Sequence, residues 1–268
     1  MPFSNEIIKR NNVTILGSGE KTLLLAHGFG CDQNMWRFML PALTAHYKVV
    51  LFDYVGSGNS EIAHYDQLRY SSLEGYAQDV LDICEALDLQ NVIFVGHSVS
   101  STIGLIASIQ KPNAFSQLIM ICPSPCFLNF KPDYMGGFEK SDLEELIDLM
   151  DKNYIGWANY LAPLVMGSNN SETLVGELSG SFCSTDPLIA KTFAKATFFS
   201  DYRHVLKEAK HPVLIFQSSQ DALASTDIGD YMLKQLPEAE LQLIYAEGHC
   251  LHMTHPDIIN QALRAYIG

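Results

Sequence analysis

Six apolar runs of strand length, separated by segments of helical periodicity, constrain this 268-residue chain more than any other feature. They are Thr22–Ala26, Lys48–Asp53, Asn91–Val95, Leu118–Ile121, Pro212–Phe216 and Leu241–Tyr245. Most are continuous rather than alternating, as in strands covered on both faces. Between the second and third runs, Leu73–Leu87 places Leu73, Tyr76, Ala77, Val80, Leu81, Ile83, Cys84 and Leu87 on one broad face. Asp79, Asp82 and Glu85 fall elsewhere, the pattern of an amphipathic surface helix. Strands alternating with such helices predict βαβ units and a mostly parallel sheet flanked by helices. Near the start, Ile7–Ile8 and Val13–Leu16, separated by Arg10-Asn11-Asn12, read as an antiparallel hairpin at the sheet edge.

The rhythm breaks after Pro123. Up to about Arg203 no strand is apparent, and four helical stretches follow one another: Leu143–Asp151, Tyr154–Val165, Glu172–Phe182 and Pro187–Ala196. This predicts a helical cap, residues 124–203, inserted after the fourth parallel strand. The core is then formed by residues 1–123 and 204–268.

Charge and composition narrow the function. The formal net charge of -13 lacks the basic stripe that nucleic-acid binding needs and disfavours an anionic membrane surface. The first twelve residues carry charges at Glu6, Lys9 and Arg10 and no apolar run, so no secretory leader is expected. No stretch reaches the roughly 18 apolar residues of a membrane span. The six cysteines, Cys31, Cys84, Cys122, Cys126, Cys183 and Cys250, form no CxxC pair, which predicts reduced thiols and a cytoplasmic protein.

The chemistry concentrates at Gly96-His97-Ser98-Val99-Ser100, directly between the third run and a helical segment. A serine on a sharp strand-to-helix turn projects its hydroxyl beyond the strand's C-terminal end. The usual pattern is G-x-S-x-G, and Ser100 departs from it. A serine hydroxyl needs a base, and in such an arrangement the acid and then the histidine follow in the chain. Asp221 follows the fifth run and His249 the sixth, both beyond C-terminal strand ends, the edge where ligands bind. The predicted catalytic group is therefore Ser98, His249 and Asp221. Asp227 is a second candidate acid, better read as part of a helix start, and Glu247 a weaker third. His249, His252 and His255 form an i, i+3 ladder, but no cysteine or acidic cluster completes a metal-ligand set, and neither metal nor organic cofactor is expected. Oxyanion donors are predicted at the backbone N–H of Val99 and of Phe29, the latter in His27-Gly28-Phe29-Gly30 after the first run. Asp53, in Asp53-Tyr54-Val55-Gly56-Ser57-Gly58, reads as a loop-holding residue.

These motifs, in this order, resemble the α/β-hydrolase superfamily over nearly the whole chain. His27–Gln33, Phe52–Gly58, Tyr76–Val80 and Val95–Val99 resemble the bacterial stress-regulator RsbQ group and the plant karrikin- and strigolactone-receptor hydrolases. Ser124-Pro125-Cys126, Gly136–Glu139 and Asn153–Ala158 extend the likeness through the cap. The elbow of that family also reads G-H-S-V-S. The resemblance implies a four-helix cap over an apolar pocket lined by Phe29, Phe127, Phe138, Trp157 and Phe198. It implies a small hydrophobic ester or lactone as ligand, opened by a serine hydrolase. It also implies coupling to small-molecule sensing and stress signalling, with a PAS-domain phosphatase-type partner; the second reading is a ligand-binding signalling protein in which hydrolysis is secondary. A carbon–carbon bond hydrolase of the same fold is the third reading, and it needs basic groups to hold an acidic substrate.

Overall fold

The computed structural model describes residues 2–268. Its sheet is built from β1 (Thr14–Leu16), β2 (Thr22–Ala26), β3 (Lys48–Leu51), β4 (Val92–His97), β5 (Phe115–Ile121), β6 (Val213–Gln220) and β7 (Ala239–Glu247). The spatial order is β1-β3-β2-β4-β5-β6-β7. Only β1 is antiparallel, Ile15 lying opposite Val50; the rest run parallel. The helices are α1 (Pro2–Arg10), α2 (Leu40–Thr44), α3 (Leu73–Ala86), α4 (Val99–Gln110), α5 (Lys140–Lys152), α6 (Tyr154–Met166), α7 (Glu172–Ser184), α8 (Pro187–Phe198), α9 (Thr226–Gln235), α10 (Leu251–Thr254) and α11 (Pro256–Ile267).

Both faces of the sheet are covered, which explains the uninterrupted apolar runs. Successive strand side chains point to opposite faces. Thus Leu24, Val50 and Phe94 pack with Val80 of α3, Ile103 of α4 and Ile228 of α9. Leu23, Leu25, Val49 and Ile93 pack with Leu43 of α2 and Leu263 of α11. This second core continues into the helices between β5 and β6, where Leu143, Trp157, Leu178 and Ala194 join it. Those helices, α5 to α8, form the helical cap insertion of an α/β-hydrolase fold.

One expectation fails at the N-terminus. Ile7 and Ile8 lie in α1, not in a hairpin strand; only the second half, β1, joins the sheet. Helical geometry buries Ile7 against the α3 side chains while Glu6 stays exposed. It also delivers Arg10 to Asp79 and Asp82 of α3. A strand would have placed neighbours 7 and 8 on opposite faces.

Candidate active site

Ser98 occupies the junction of β4 and α4 with φ 55° and ψ -124°, a strained conformation that frequently accompanies function. Its N–H donates to the Ile121 carbonyl at 2.9 Å, which pins the turn to β5. The Val99 N–H follows at the first position of α4. Among the described residues, neither it nor the Phe29 N–H has a hydrogen-bond acceptor. Two free N–H groups, one at a helix N-terminus, are what a developing oxyanion requires. The Phe29 loop comes close because residue 28 is glycine: a Cβ there would meet His97 Nδ1 at 2.5 Å.

Ser100, the departure from the usual motif, has work of its own. Its hydroxyl donates to the His27 carbonyl at 2.5 Å and lies 3.0 Å from the Tyr54 hydroxyl. It therefore ties the start of α4 to the Phe29 loop. His27 is buried, which pushes its imidazole pKa down. Its Nε2 accepts the Tyr54 N–H at 3.2 Å, and its Nδ1 lies 2.9 Å from the Gly28 carbonyl.

His249 and Asp221 meet from the loops after β7 and β6. His249 Nδ1 is 2.7 Å from Asp221 Oδ2, and both side chains are buried. The other carboxylate oxygen accepts the N–H groups of Leu223 at 2.9 Å and Ala224 at 3.1 Å. Burial alone raises the Asp221 pKa; the imidazole and the two N–H groups more than offset it, leaving the carboxyl below its usual range. An ionised Asp221 fixes Nδ1 as the donor, so Nε2 carries the lone pair. Nε2 is buried with no hydrogen-bond partner, and His249 and Ser98 line the same cavity. No hydrogen bond joins Ser98 Oγ to Nε2 among the described contacts; in free enzymes this bond is often long and closes with substrate.

The alternatives lie elsewhere. Asp227 is in the first turn of α9. The Glu247 carboxylate bonds Ser168 and Asn169 of the cap. His252 packs between His97 and Trp36, with ring centroids at 4.4 and 4.7 Å, while His255 Nδ1 lies 2.8 Å from the Thr254 hydroxyl. Neither joins His249 in a donor cluster. Cys122 does, within 4.8 Å of His249 and Asp221, but those two are each other's partners, and burial drives the Cys122 thiol pKa far up. Asp53 accepts from Asn12 Nδ2, Gln33 N–H and Asn59 N–H at 2.8, 2.8 and 2.9 Å, holding three loops together.

The cavity at Ser98 is small, about 20 Å³. Of the aromatic side chains named from the resemblance, Phe29 and Phe198 line it. Phe138 lines an adjoining groove of about 520 Å³ that shares Leu161, Phe198 and Leu223 with the cavity. Phe127 and Trp157 sit one layer back: Phe127 packs on Phe198 at 5.2 Å, Trp157 on Phe29 at 6.0 Å. Phe182, Leu161, Val165, Leu178 and Leu223, which no sequence motif marks, add to the wall beside Cys31, His97, Thr197 and Cys250. Leu161, Val165, Leu178 and Phe182 show in the sequence only as apolar positions of α6 and α7, a pattern that ordinary core packing also gives, and Leu223 lies on the loop after β6.

A family model described as alpha/beta hydrolase fold matches residues 21–256. The chain belongs to the α/β-hydrolase family. Within it, the chain is closely related to the karrikin- and strigolactone-receptor type of esterase. It is 40% identical to karrikin insensitive 2 receptor CA of Petunia hybrida, covering 96% of this chain and 95% of that one. It is 37% identical to strigolactone esterase D14 of Arabidopsis thaliana, covering 97% of each. A hydrolase from Oleispira antarctica superposes with a TM-score of 0.97 at 63% identity, over 98% of this chain and 97% of that one. As an α/β-hydrolase the protein is thus homologous to serine esterases, and no described helix is long and apolar enough to cross a membrane.

Proposed function

We propose that the protein is a serine hydrolase that cleaves a small hydrophobic ester or lactone through an acyl-enzyme. The observation that carries this is a buried imidazole, held by Asp221, with its other nitrogen unpartnered and its side chain lining the same cavity as Ser98. In this reading Ser98 Oγ attacks the carbonyl carbon and His249 Nε2 takes its proton. The N–H groups of Phe29 and Val99 hold the oxyanion. His249 then protonates the leaving alkoxide, and a water it activates releases the acid. Asp221 keeps the tautomer and stabilises the imidazolium. Residues 124–203 act as the cap that excludes water from these steps. The lining is apolar and includes no arginine or lysine among the described residues, which favours a neutral ester over an acidic carbon–carbon hydrolase substrate. Hydrolysis of p-nitrophenyl acetate, with acetyl transfer to Ser98 detected by mass spectrometry, tests the reading. Turnover that survives Ser98→Ala rejects it.

Relatives named as receptors favour a second reading of the same pocket, in which ligand occupancy is signalled to a protein partner such as a PAS-domain phosphatase. A lactone that raises the melting temperature and also changes binding to such a partner supports it; hydrolysis without either change supports a plain esterase. Six unpaired thiols, five of them buried, suit the reducing cytoplasm we assign to it.

A further inference from the structure

The loop that carries His249 is bolted to the cap as firmly as to the core. The His249 N–H donates to the Val165 carbonyl in the last turn of α6, at 2.7 Å. Gly248 has φ +98°, and a Cβ on it would overlap the Met166 carbonyl, so cap backbone lies directly on the loop. From the turn between α6 and α7, Ser168 directs its N–H and its hydroxyl to one Glu247 carboxylate oxygen, both at 2.8 Å. The Asn169 amide donates to the other oxygen. The Asn170 amide reaches both the Met166 carbonyl at 2.7 Å and the Glu247 carbonyl at 2.9 Å. On the opposite side, His97 Nε2 lies 2.9 Å from the His249 carbonyl, and the Gly248 N–H donates to the Gln220 carbonyl at 2.8 Å. The base is clamped between two layers: on the cap side Val165 accepts from His249 and Glu247 accepts from Ser168, Asn169 and Asn170.

Cavity size makes this consequential. A volume of about 20 Å³ holds roughly one water molecule and no ester, so the cap must yield when substrate arrives. If the whole cap lifted, the Val165 contact would drag the base with it. We propose that Glu247 is a positioning residue: it anchors the 167–170 turn so that the cap yields elsewhere, and His249 keeps its alignment with Ser98. This rests on the hydrolase reading above and extends it, because it assigns the cap a task in holding the base besides covering the pocket.

Steady-state hydrolysis of p-nitrophenyl acetate by the full chain is the test, paired with amide hydrogen exchange at His249. Wild-type turnover that is lost in Ser98→Ala establishes the hydrolase reading separately. Glu247→Ala then lowers kcat on the order of tenfold to a hundredfold while KM stays within about twofold, and exchange at the His249 amide speeds up. Glu247→Gln, which keeps one acceptor, recovers part of the loss. Asn170→Ala acts in the same direction and serves as the probe if Glu247→Ala does not fold. Ser171→Ala removes the α7 cap bond to the Thr173 N–H on the same turn and leaves kcat unchanged. A folded Glu247→Ala or Asn170→Ala protein with wild-type kcat and wild-type exchange at His249 overturns the proposal, as does a loss confined to KM. Equal kcat losses in Glu247→Ala and Ser171→Ala also overturn it, because they mark a general loosening of the cap. The exchange measurement decides the clamp even if the wild type hydrolyses no ester.

Discussion

Two carboxylates, Asp79 and Asp221, are fully buried, and their surroundings put them to opposite uses. Asp79 on α3 is surrounded by donors. Arg69 lies at 2.6 Å, the Tyr70 hydroxyl at 2.9 Å, the Val55 N–H at 3.1 Å, the Asn11 amide at 3.2 Å and Arg10 at 3.3 Å. Three separate stretches of chain converge on it, and none of its partners opens onto the Ser98 cavity. Asp221 has one side-chain hydrogen-bond donor, His249, plus two backbone N–H groups from its own loop. That single partner keeps its far nitrogen uncommitted. A carboxylate with redundant partners serves as a structural rivet. One with a single titratable partner can orient that partner and stabilise its protonated form.

Four experiments bear on this contrast. The largest effect belongs to Asp221→Asn, which is expected to reduce kcat by roughly 10³–10⁴ with only a modest shift in the urea midpoint. Near-normal turnover would place the acid at another residue. Asp79→Ala reverses the profile: it takes the acceptor from the Tyr70 hydroxyl and the Val55 N–H, leaves only Asp82 facing Arg10 and Arg69, and costs about 3–5 kcal/mol of stability, read by urea unfolding, while the folded fraction keeps its kcat. A large kcat loss per folded molecule would erase the distinction. Redundancy itself is tested by Arg69→Ala. Because Arg10, Tyr70 and Asn11 remain, the cost should be about 1.5–3 kcal/mol, that of a charged hydrogen bond, and less than that of Asp79→Ala. The smallest effect is pH-linked. The folded Asp221 carboxyl titrates below its unfolded value of about 3.9, so its contribution is fully present above that value. It is lost as pH falls through the folded pKa. Melting curves of wild type and Asp221→Asn should therefore show the wild type losing ground below about pH 4. An offset that is flat down to pH 2 would show that the carboxyl is not depressed.

Much of the scaffold was legible because its signals are local. Thr22–Ala26 reads as a buried strand because both of its faces need apolar cover, and Tyr154–Val165 reads as a helix from its own residues. Ser98 was legible because the elbow is a short motif between a strand and a helix, and the order of Asp221 and His249 follows from which strand each succeeds. Other features were not legible, because they depend on partners far away in the chain. Ile7 is helical because α3 offers it a surface and Asp79 and Asp82 receive Arg10. Glu247 looked like a weak spare acid, yet it bonds a turn almost 80 residues earlier. Phe127 and Trp157 were named from resemblance as pocket wall, but depth within an aromatic cluster depends on how α6 and α8 sit over Phe29.

The order of amino acids determined the parallel strands, the helices after α1, the strained turn under Ser98 and the strand ends from which the site is built. Each of these follows from backbone sterics and from the need to bury apolar side chains within a few residues of one another. Only the tertiary structure decided that His249 would be held between core and cap, that Asp79 would rivet and Asp221 would orient, and that the cavity would close to about 20 Å³. Those outcomes turn on hydrogen bonds and contacts between segments distant in the chain, whose geometry is set by how whole layers pack.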